Sequence, residues 1–184
     1  MHWRIPLADL NYDEREEQAV LEIVRSRWLT MGAVTERFES EFAHSLAPDG
    51  AQPPYTLAVA NGTVALHLAC RALGIGPGDE VIVPALTFVA TANAVLYTGA
   101  QVRFAEVTGA GDLNISPQEI ERQITPRTRA IIVVHYAGFP CDMPAVMELA
   151  RRYNLAVIED AAHAPGAFLD GKALGTWGDI GCFS

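Results

Sequence analysis

The sequence predicts an α/β fold with a mostly parallel central sheet and helices on both of its faces. From residue 55 onward, short apolar stretches typical of strands alternate with longer stretches of helical periodicity. This alternation is the pattern of parallel strands joined by helical crossovers. The run from Ala130 to Val134 is apolar and β-branched throughout, as expected of a strand that helices cover on both faces.

The residues before this alternating region are predicted to be helical. Residues 11–27 and 36–45 have apolar side chains at helical spacing, Gly32 separates the two stretches, and 48–54 form a proline-rich loop. We therefore expect an N-terminal helical segment over residues 1–54 and a second domain over residues 55–184.

Each element of the second domain is predicted from apolar runs and from the residues that bound them. Ser116 and Pro117 form the start of a helix, because serine caps a helix and proline is favoured at its first position. Residues 108–114 form a polar loop, and Asp170-Gly171 is a hairpin turn signal. The predicted strands are 55–60, 81–83, 102–107, 130–134, 156–160 and 180–184, and the other predicted helices are 63–73, 87–97 and 143–153.

Composition narrows the possible roles. The 184 residues carry a formal net charge of −9, which disfavours a nucleic-acid partner. The N-terminal residues lack the apolar core of a signal peptide, and no apolar run is long enough to cross a membrane. Three cysteines without a C-x-x-C pair are typical of a reducing compartment, so we expect a cytoplasmic protein.

Polar residues follow three of the predicted strands, where parallel sheets bind their ligands. Gly62 and Thr63 begin a helix, whose free N–H groups and dipole favour a phosphate, although the same pattern also serves as an ordinary helix cap. Asp160 follows an apolar strand, where a carboxylate is usually either a helix cap or functional, and its partly buried setting favours function. Phe88 could stack on a flat ligand or pack in the core.

A metal site is the alternative that these strand ends leave open. His135 ends the strand at 130–134, where a lone histidine is more often structural than catalytic. Asp160 and His163 are three residues apart, a spacing that can converge on one ion. A metal-dependent hydrolase using these three residues is therefore a second hypothesis, although no convincing fourth ligand or zinc motif accompanies them.

Several segments in order resemble the DegT/DnrJ/EryC1/StrS family of pyridoxal-phosphate-dependent aminotransferases, which act on nucleotide-linked keto-sugars. The resemblance runs from about Pro6 to Ser184, and its most specific segments are 61–69, 76–84, 87–93 and 158–164. Residues 134–138 and 161–163 most resemble the family's enzymes that make UDP-4-amino-4-deoxy-L-arabinose. The implied fold is the large domain of fold-type I, of the aspartate aminotransferase kind, without its small C-terminal domain.

The resemblance gives these residues roles in binding pyridoxal 5′-phosphate. Asp160 matches the carboxylate that faces the ring nitrogen, and His163 stands near the ring hydroxyl where many relatives have glutamine. Trp28, Leu29 and Thr30 match part of the substrate segment. The resemblance assigns the phosphate to Gly62, Thr63 and Ser184, the ring face to Phe88, and catalysis to Asp160 and His163, with no metal.

One residue of the family's chemistry has no match. The family's Schiff-base lysine follows the serine that Ser184 matches, and the chain ends there. The one lysine among its thirteen basic residues, Lys172, lies in a hairpin turn that the family does not use. We therefore expect a truncated, inactive chain. The resemblance implies that the full-length form is a homodimer that uses glutamate as its amino donor. The alternatives are a dehydratase, in which histidine replaces that lysine, and a non-catalytic cofactor-binding fragment.

Overall fold

The computed structural model describes residues 11–48 and 50–184, which fall into two compact units. One unit ends at Phe38, and the other runs from Glu39 to Ser184. The domain boundary that we predicted between residues 54 and 55 therefore lies inside the second unit, and it stays a prediction.

The first unit contains helix α1, Glu14–Ser26, and the beginning of helix α2, Ala33–Leu46. Asp13 starts α1 with a capping box, because its side chain accepts from the backbone N–H of Arg15 while its own N–H donates to Glu16. Arg27 ends α1 in the left-handed conformation. The two helices predicted at 11–27 and 36–45 are confirmed.

The second unit is built on a parallel sheet of five strands in the order β2-β1-β5-β6-β9. These strands are β1 (Glu80–Pro84), β2 (Gln101–Ala105), β5 (Thr128–Val134), β6 (Ala156–Asp160) and β9 (Ile180–Cys182). The helices are α3 (Gly62–Ala72), α4 (Val89–Leu96), α5 (Pro117–Gln123) and α6 (Met143–Tyr153), and two small hairpins are formed by β3 (Val107–Gly109) with β4 (Asp112–Ile115) and by β7 (Phe168–Leu169) with β8 (Lys172–Ala173).

The sheet is covered on both faces, as predicted. Buried residues of α3 and α4 pack with Ile132 and Ile158 on one face, and those of α5 and α6 pack with Ile131 and Val157 on the other. Full burial of one such aliphatic side chain contributes about 1.5–3 kcal/mol. Consecutive residues of a strand point to opposite faces, and helices cover both faces here. This is why β5 and β6 contain unbroken apolar runs and not alternating ones.

Two predictions about the second unit are wrong. Residues 55–60 are not a strand, because their polar groups bond to α2: the Thr56 hydroxyl donates to the Glu39 carbonyl, and the Ala58 N–H donates to the Glu39 carboxylate over 2.7 Å. Residues 108–114 are not a loop, since most of them form the β3–β4 hairpin, in which Gly109 pairs with Asp112.

The three cysteines are free and buried. Burial raises the pKa of Cys70 to about 11 and the pKa values of Cys141 and Cys182 to about 12. Within residues 11–48 and 50–184, no helix combines the length and apolar character that crossing a bilayer demands.

Candidate active site

The polar residues singled out in the second domain gather where the parallel strands end. The carboxyl ends of β1, β6 and β9 lie along one edge of the sheet, because all three strands run in the same direction. Helix α4 connects β1 to β2 on one side of it in the strand order, and α6 connects β5 to β6 on the other side. The two helices pack on opposite faces of the sheet. Right-handed crossovers that run in opposite directions from two neighbouring strands produce this arrangement. In parallel α/β sheets, ligands bind in the crevice at the carboxyl ends of such a pair of strands, here β1 and β5.

Gly62 and Ser184 approach each other closely, although they are far apart in sequence. A β-carbon added at Gly62 would lie 2.9 Å from Cβ and 3.3 Å from Oγ of Ser184. Glycine at position 62 therefore allows the Ser184 hydroxyl to stand beside the first turn of α3. The predicted grouping of these two residues is present in the structure.

The N-terminus of α3 keeps groups free for a ligand even though it is capped. Asn61 provides the cap, its side-chain oxygen accepting from the Val64 N–H over 3.0 Å. The N–H groups of Gly62 and Thr63 come earlier in the first turn, where a helix has no carbonyl partner for them. Asn61 is therefore the helix cap, and the N–H groups of the next two residues are oriented so that they can donate to an anion.

Asp160 is the buried carboxylate of the site, with only 6% of its surface exposed at the end of β6. Its Oδ2 accepts from the Thr91 hydroxyl over 2.8 Å, and its Oδ1 accepts from the Ala162 N–H over 3.3 Å. Thr91 is fully buried, and its Oγ1 lies 2.7 Å from that of Thr87. Sequence reasoning missed both threonines, because their link to Asp160 depends on how α4 packs against β6.

Phe88 lies at the start of α4, four residues after β1 ends, and 72% of its surface is exposed. The alternative that it packs in the core is therefore wrong. An exposed aromatic ring at the carboxyl edge of the sheet can stack on a planar ligand.

His163 has a defined ring orientation although it is exposed. Its Nδ1 accepts from the Ala137 N–H over 3.2 Å, and its ring forms a T-shaped contact with the Tyr136 ring at a centroid distance of 6.0 Å. In the neutral form the proton is then on Nε2, so this nitrogen is a hydrogen-bond donor. Ala137 places its N–H there in the left-handed conformation, with φ 53°.

His135 and Glu159 form a second polar group, which is completely buried. His135 Nδ1 accepts from the Cys141 N–H over 3.2 Å, so Nε2 carries the proton and donates to Glu159 over 2.9 Å. Glu159 also accepts from the N–H groups of Gly175 and Gly178. Both ring nitrogens of His135 are used, which makes it the structural histidine that its sequence context favours.

The structure therefore does not bring His135, Asp160 and His163 together as ligands of one ion. Asp160 is bonded to Thr91 on one face of β6, whereas Glu159 carries His135 on the other. Across the residues that the structure describes, no three His, Cys, Asp or Glu side chains are grouped as metal ligands.

The remaining predicted residues lie apart from this edge or in the other unit. Trp28, Leu29 and Thr30 belong to the first unit and line a concave surface there, where the Trp28 indole N–H donates to the Met31 carbonyl over 3.1 Å. Lys172 is exposed in the β7–β8 hairpin, with its Nζ 5.0 Å from the centre of the Trp177 ring.

The grouped residues fit a flat heteroaromatic ring that carries a phosphate. The close approach of Gly62 and Ser184, which a β-carbon at position 62 would prevent, puts the serine side chain beside the N-terminus of α3, where a phosphate can accept hydrogen bonds. Asp160 offers a fixed, buried anion to a protonated ring nitrogen, and Phe88 offers an aromatic face. These features are the binding requirements of pyridoxal 5′-phosphate.

The sequence model of the DegT/DnrJ/EryC1/StrS aminotransferase family matches residues 11–184. GDP-perosamine synthase of Escherichia coli O157:H7 is 44% identical over 181 residues, which are 98% of this chain and 48% of that enzyme. UDP-N-acetyl-3-dehydro-alpha-D-glucosamine 3-aminotransferase of Acidithiobacillus ferrooxidans is 57% identical over 125 residues, 68% of this chain and 34% of that enzyme. The chain thus spans about half the length, or less, of these relatives.

The fold is also shared with solved structures. The Spr1654 protein of Streptococcus pneumoniae is 29% identical and superposes with a TM-score of 0.88. The match covers 99% of this chain and 48% or 49% of that protein, which was solved in a PLP form and a PMP form. The sequence identity and the similarity of fold between the two proteins agree with the fold-type I architecture expected from the sequence.

Proposed function

Because the chain belongs to the DegT/DnrJ/EryC1/StrS aminotransferase family, we propose that it binds pyridoxal 5′-phosphate as part of a nucleotide-sugar aminotransferase. The complete enzyme transfers an amino group from glutamate to a nucleotide-linked keto-sugar. The observation that carries this proposal is the convergence of Gly62, Ser184 and Asp160 at one edge of the parallel sheet.

The phosphate of the cofactor is held at the start of α3. The N–H groups of Gly62 and Thr63 and the Ser184 hydroxyl donate to its oxygens, and the positive end of the helix dipole favours its charge. Phe88 covers one face of the ring. When bound, pyridoxal phosphate supplies an electron sink for the negative charge that develops as a proton leaves the amino donor.

Asp160 and His163 would contact two different polar groups of the ring. Asp160 stands beside the ring nitrogen, where its negative charge favours the protonated, electron-withdrawing form of that nitrogen. His163 donates from Nε2 to the ring oxygen, because the Ala137 N–H already occupies its Nδ1.

Lys172 has no part in this site. It is exposed in the β7–β8 hairpin beside Trp177, and a basic residue that removes a proton must reach the reacting atom. We propose that residues 1–184 bind the cofactor without a covalent bond to it and do not transfer amino groups by themselves. Borohydride reduction followed by peptide mass spectrometry would contradict this if it found pyridoxyl-modified Lys172.

The substrate and assembly of the complete enzyme extend the same proposal. The names of the relatives include a GDP-linked and a UDP-linked sugar, so we propose that the substrate is a keto-sugar linked to a nucleotide. We assign Trp28, Leu29 and Thr30 to substrate binding. We also assign residues 1–54 to an N-terminal segment and residues 55–184 to the cofactor-binding domain. The complete enzyme is a homodimer in the cytoplasm.

An amino-transfer assay on the complete protein tests this function. The protein is incubated with pyridoxal phosphate, glutamate and nucleotide-linked keto-sugars, and mass spectrometry identifies the sugar product. We expect an amino-sugar together with 2-oxoglutarate. Loss of water from the sugar without amino transfer, or an activity that requires a metal ion, would contradict the proposal.

An Asp160→Asn variant tests whether amino transfer depends on the Asp160 carboxylate. It should lose nearly all amino transfer, because the neutral amide cannot keep the ring nitrogen protonated. Asp170→Asn is the matched control, since Asp170 lies in a turn with φ 51° that asparagine tolerates well. Retained activity in Asp160→Asn would remove Asp160 from the mechanism.

A further inference from the structure

The Asp160 carboxylate accepts from the Thr91 hydroxyl, which in turn contacts the Thr87 hydroxyl, and neither threonine received a role in the sequence analysis. We propose that Thr91, supported by Thr87, is a positioning residue that fixes the Asp160 carboxylate toward the ring nitrogen of the cofactor. This inference rests on the proposed function, since it concerns the same site.

The hydrogen bonds form a chain with a defined direction. Thr91 donates its hydroxyl proton to Oδ2 of Asp160 over 2.8 Å. A hydroxyl group has one proton, so in the 2.7 Å contact between the two threonines Thr87 is the donor and Thr91 the acceptor. Together with the Ala162 N–H on Oδ1, each carboxylate oxygen has one donor from the protein. These two donors fix the plane of the carboxylate and leave lone pairs for the ligand.

Burial makes the Thr91 hydroxyl difficult to replace. Thr91 is fully buried and Asp160 is only 6% exposed, so water has little access to the position that the hydroxyl occupies. Without it, Oδ2 would be an unsatisfied oxygen on a buried anion, and the carboxylate would be free to rotate. Because α4 and β6 both belong to the rigid core around the sheet, the hydroxyl aligns Asp160 before any ligand arrives.

The test compares two ligands that differ at the ring nitrogen alone. Pyridoxamine 5′-phosphate (PMP) binds without a covalent bond, so its affinity depends on the pocket and not on a lysine. Its carbocyclic analogue, in which a C–H group replaces the ring nitrogen, keeps the phosphate and the ring face. Dissociation constants for both are measured by tryptophan fluorescence or calorimetry on the wild type, Thr91→Val, Thr91→Ser and Thr98→Val.

We expect Thr91→Val to weaken PMP binding about tenfold or more, and binding of the carbocyclic analogue less than twofold. Thr91→Ser keeps the hydroxyl and should resemble the wild type. Thr98→Val is the matched control: Thr98 is a buried threonine just beyond the other end of α4, and its hydroxyl donates to the Val95 carbonyl. It should bind both ligands as the wild type does.

Equal weakening of both ligands, or of neither, would overturn the positioning role. If Thr91→Val does not fold, Thr87→Val provides the same comparison, because loss of its donor should weaken PMP in preference to the analogue. A wild-type protein that binds neither ligand would contradict the proposed function itself. That result is distinguishable from one in which the wild type binds PMP and the threonine variants lose no selectivity.

Discussion

At the residue scale, the phosphate end of the site depends on a position that has no room for a side chain. A β-carbon at Gly62 would approach Cβ of Ser184 to 2.9 Å, a separation that real β-carbons essentially never show. The restriction at Gly62 is therefore one of space, and it links the first turn of α3 to the residue that follows β9.

Gly62→Ala tests this restriction. The added methyl group should displace the Ser184 hydroxyl and weaken binding of inorganic phosphate and of PMP by about 1.5–3 kcal/mol, the typical value of a hydrogen bond to a charged group. Calorimetry measures both affinities. Gly76→Ala is the control, because no atom lies within 4 Å of the β-carbon that it adds. Equal affinities for Gly62→Ala and the wild type would show that Ser184 and Gly62 do not share a ligand.

The residues of the site were predictable from sequence to different degrees. The strand and helix pattern singled out Gly62 and Asp160 at strand or helix ends, whereas Ser184 was assigned to the site only through the family resemblance. Thr91 was not predictable, because its partner is 69 positions away and the contact depends on the packing of α4. Glu159 received no role from sequence reasoning, and its side chain points to the face of β6 opposite that of Asp160 and bonds to His135 in the structure.

At the element scale, Glu159 fastens the segment before β9 to the end of β6. Its carboxylate accepts from Gly175 N–H over 2.8 Å, from Gly178 N–H over 2.7 Å and from His135. A β-carbon at Gly175 would collide with the ring of Phe183, the residue that precedes Ser184. The position of Ser184 therefore depends on the anchoring of this segment by Glu159.

Glu159→Gln should destabilise the fold by about 3 kcal/mol, because the amide nitrogen faces a backbone or imidazole donor in a buried position. Urea unfolding followed by circular dichroism measures the change. Glu148→Gln is the control, since the side chain of Glu148 is 65% exposed in an ion pair with Arg152. A loss below about 0.5 kcal/mol for Glu159→Gln would contradict the anchoring role.

The elements themselves were predictable where an apolar run or a cap defined them. The strands β5 and β6 and the helix α6 agree with their predicted positions to within about two residues. Residues 55–60 have the composition of a strand, but Glu39 supplies their hydrogen-bond partners. The β3–β4 hairpin was missed because glycines and polar residues interrupt its apolar positions and it lies outside the main sheet.

At the scale of the whole molecule, a charged cluster joins the amino-terminal ends of the strands. Glu80 is 1% exposed and accepts from the Thr125 hydroxyl and from the Arg127 guanidinium. The hydrogen bond from Thr125, followed by that from Arg127, lowers the pKa of Glu80 from its ordinary value of 4.5. The charged form of Glu80 is thus the form that the folded state favours.

This shift predicts acid-dependent stability. The contribution of Glu80 is complete above pH 4.5 and is lost as the pH falls below it, through the lowered pKa of the folded state. The wild type should therefore lose more stability than Glu80→Gln between pH 7 and pH 3, as measured by urea midpoints, with Glu148→Gln following the wild type. Parallel curves for the wild type and Glu80→Gln would exclude this contribution.

The buried thiols report on the integrity of the whole fold. Because burial raises their pKa values to about 11 or 12, few are thiolates at pH 8. The native protein should react with Ellman's reagent over hours, whereas guanidinium should expose three thiols at once. Rapid release of one equivalent from the native protein would show that a cysteine is accessible.

A crystal structure of the protein with PMP tests the central claim most directly. We expect the phosphate within hydrogen-bond distance of the Gly62 and Thr63 N–H groups and of the Ser184 hydroxyl. We expect the ring to lie against Phe88, with its nitrogen facing the Asp160 carboxylate. Phosphate density elsewhere, or a ring nitrogen turned away from Asp160, would contradict the site described for this chain.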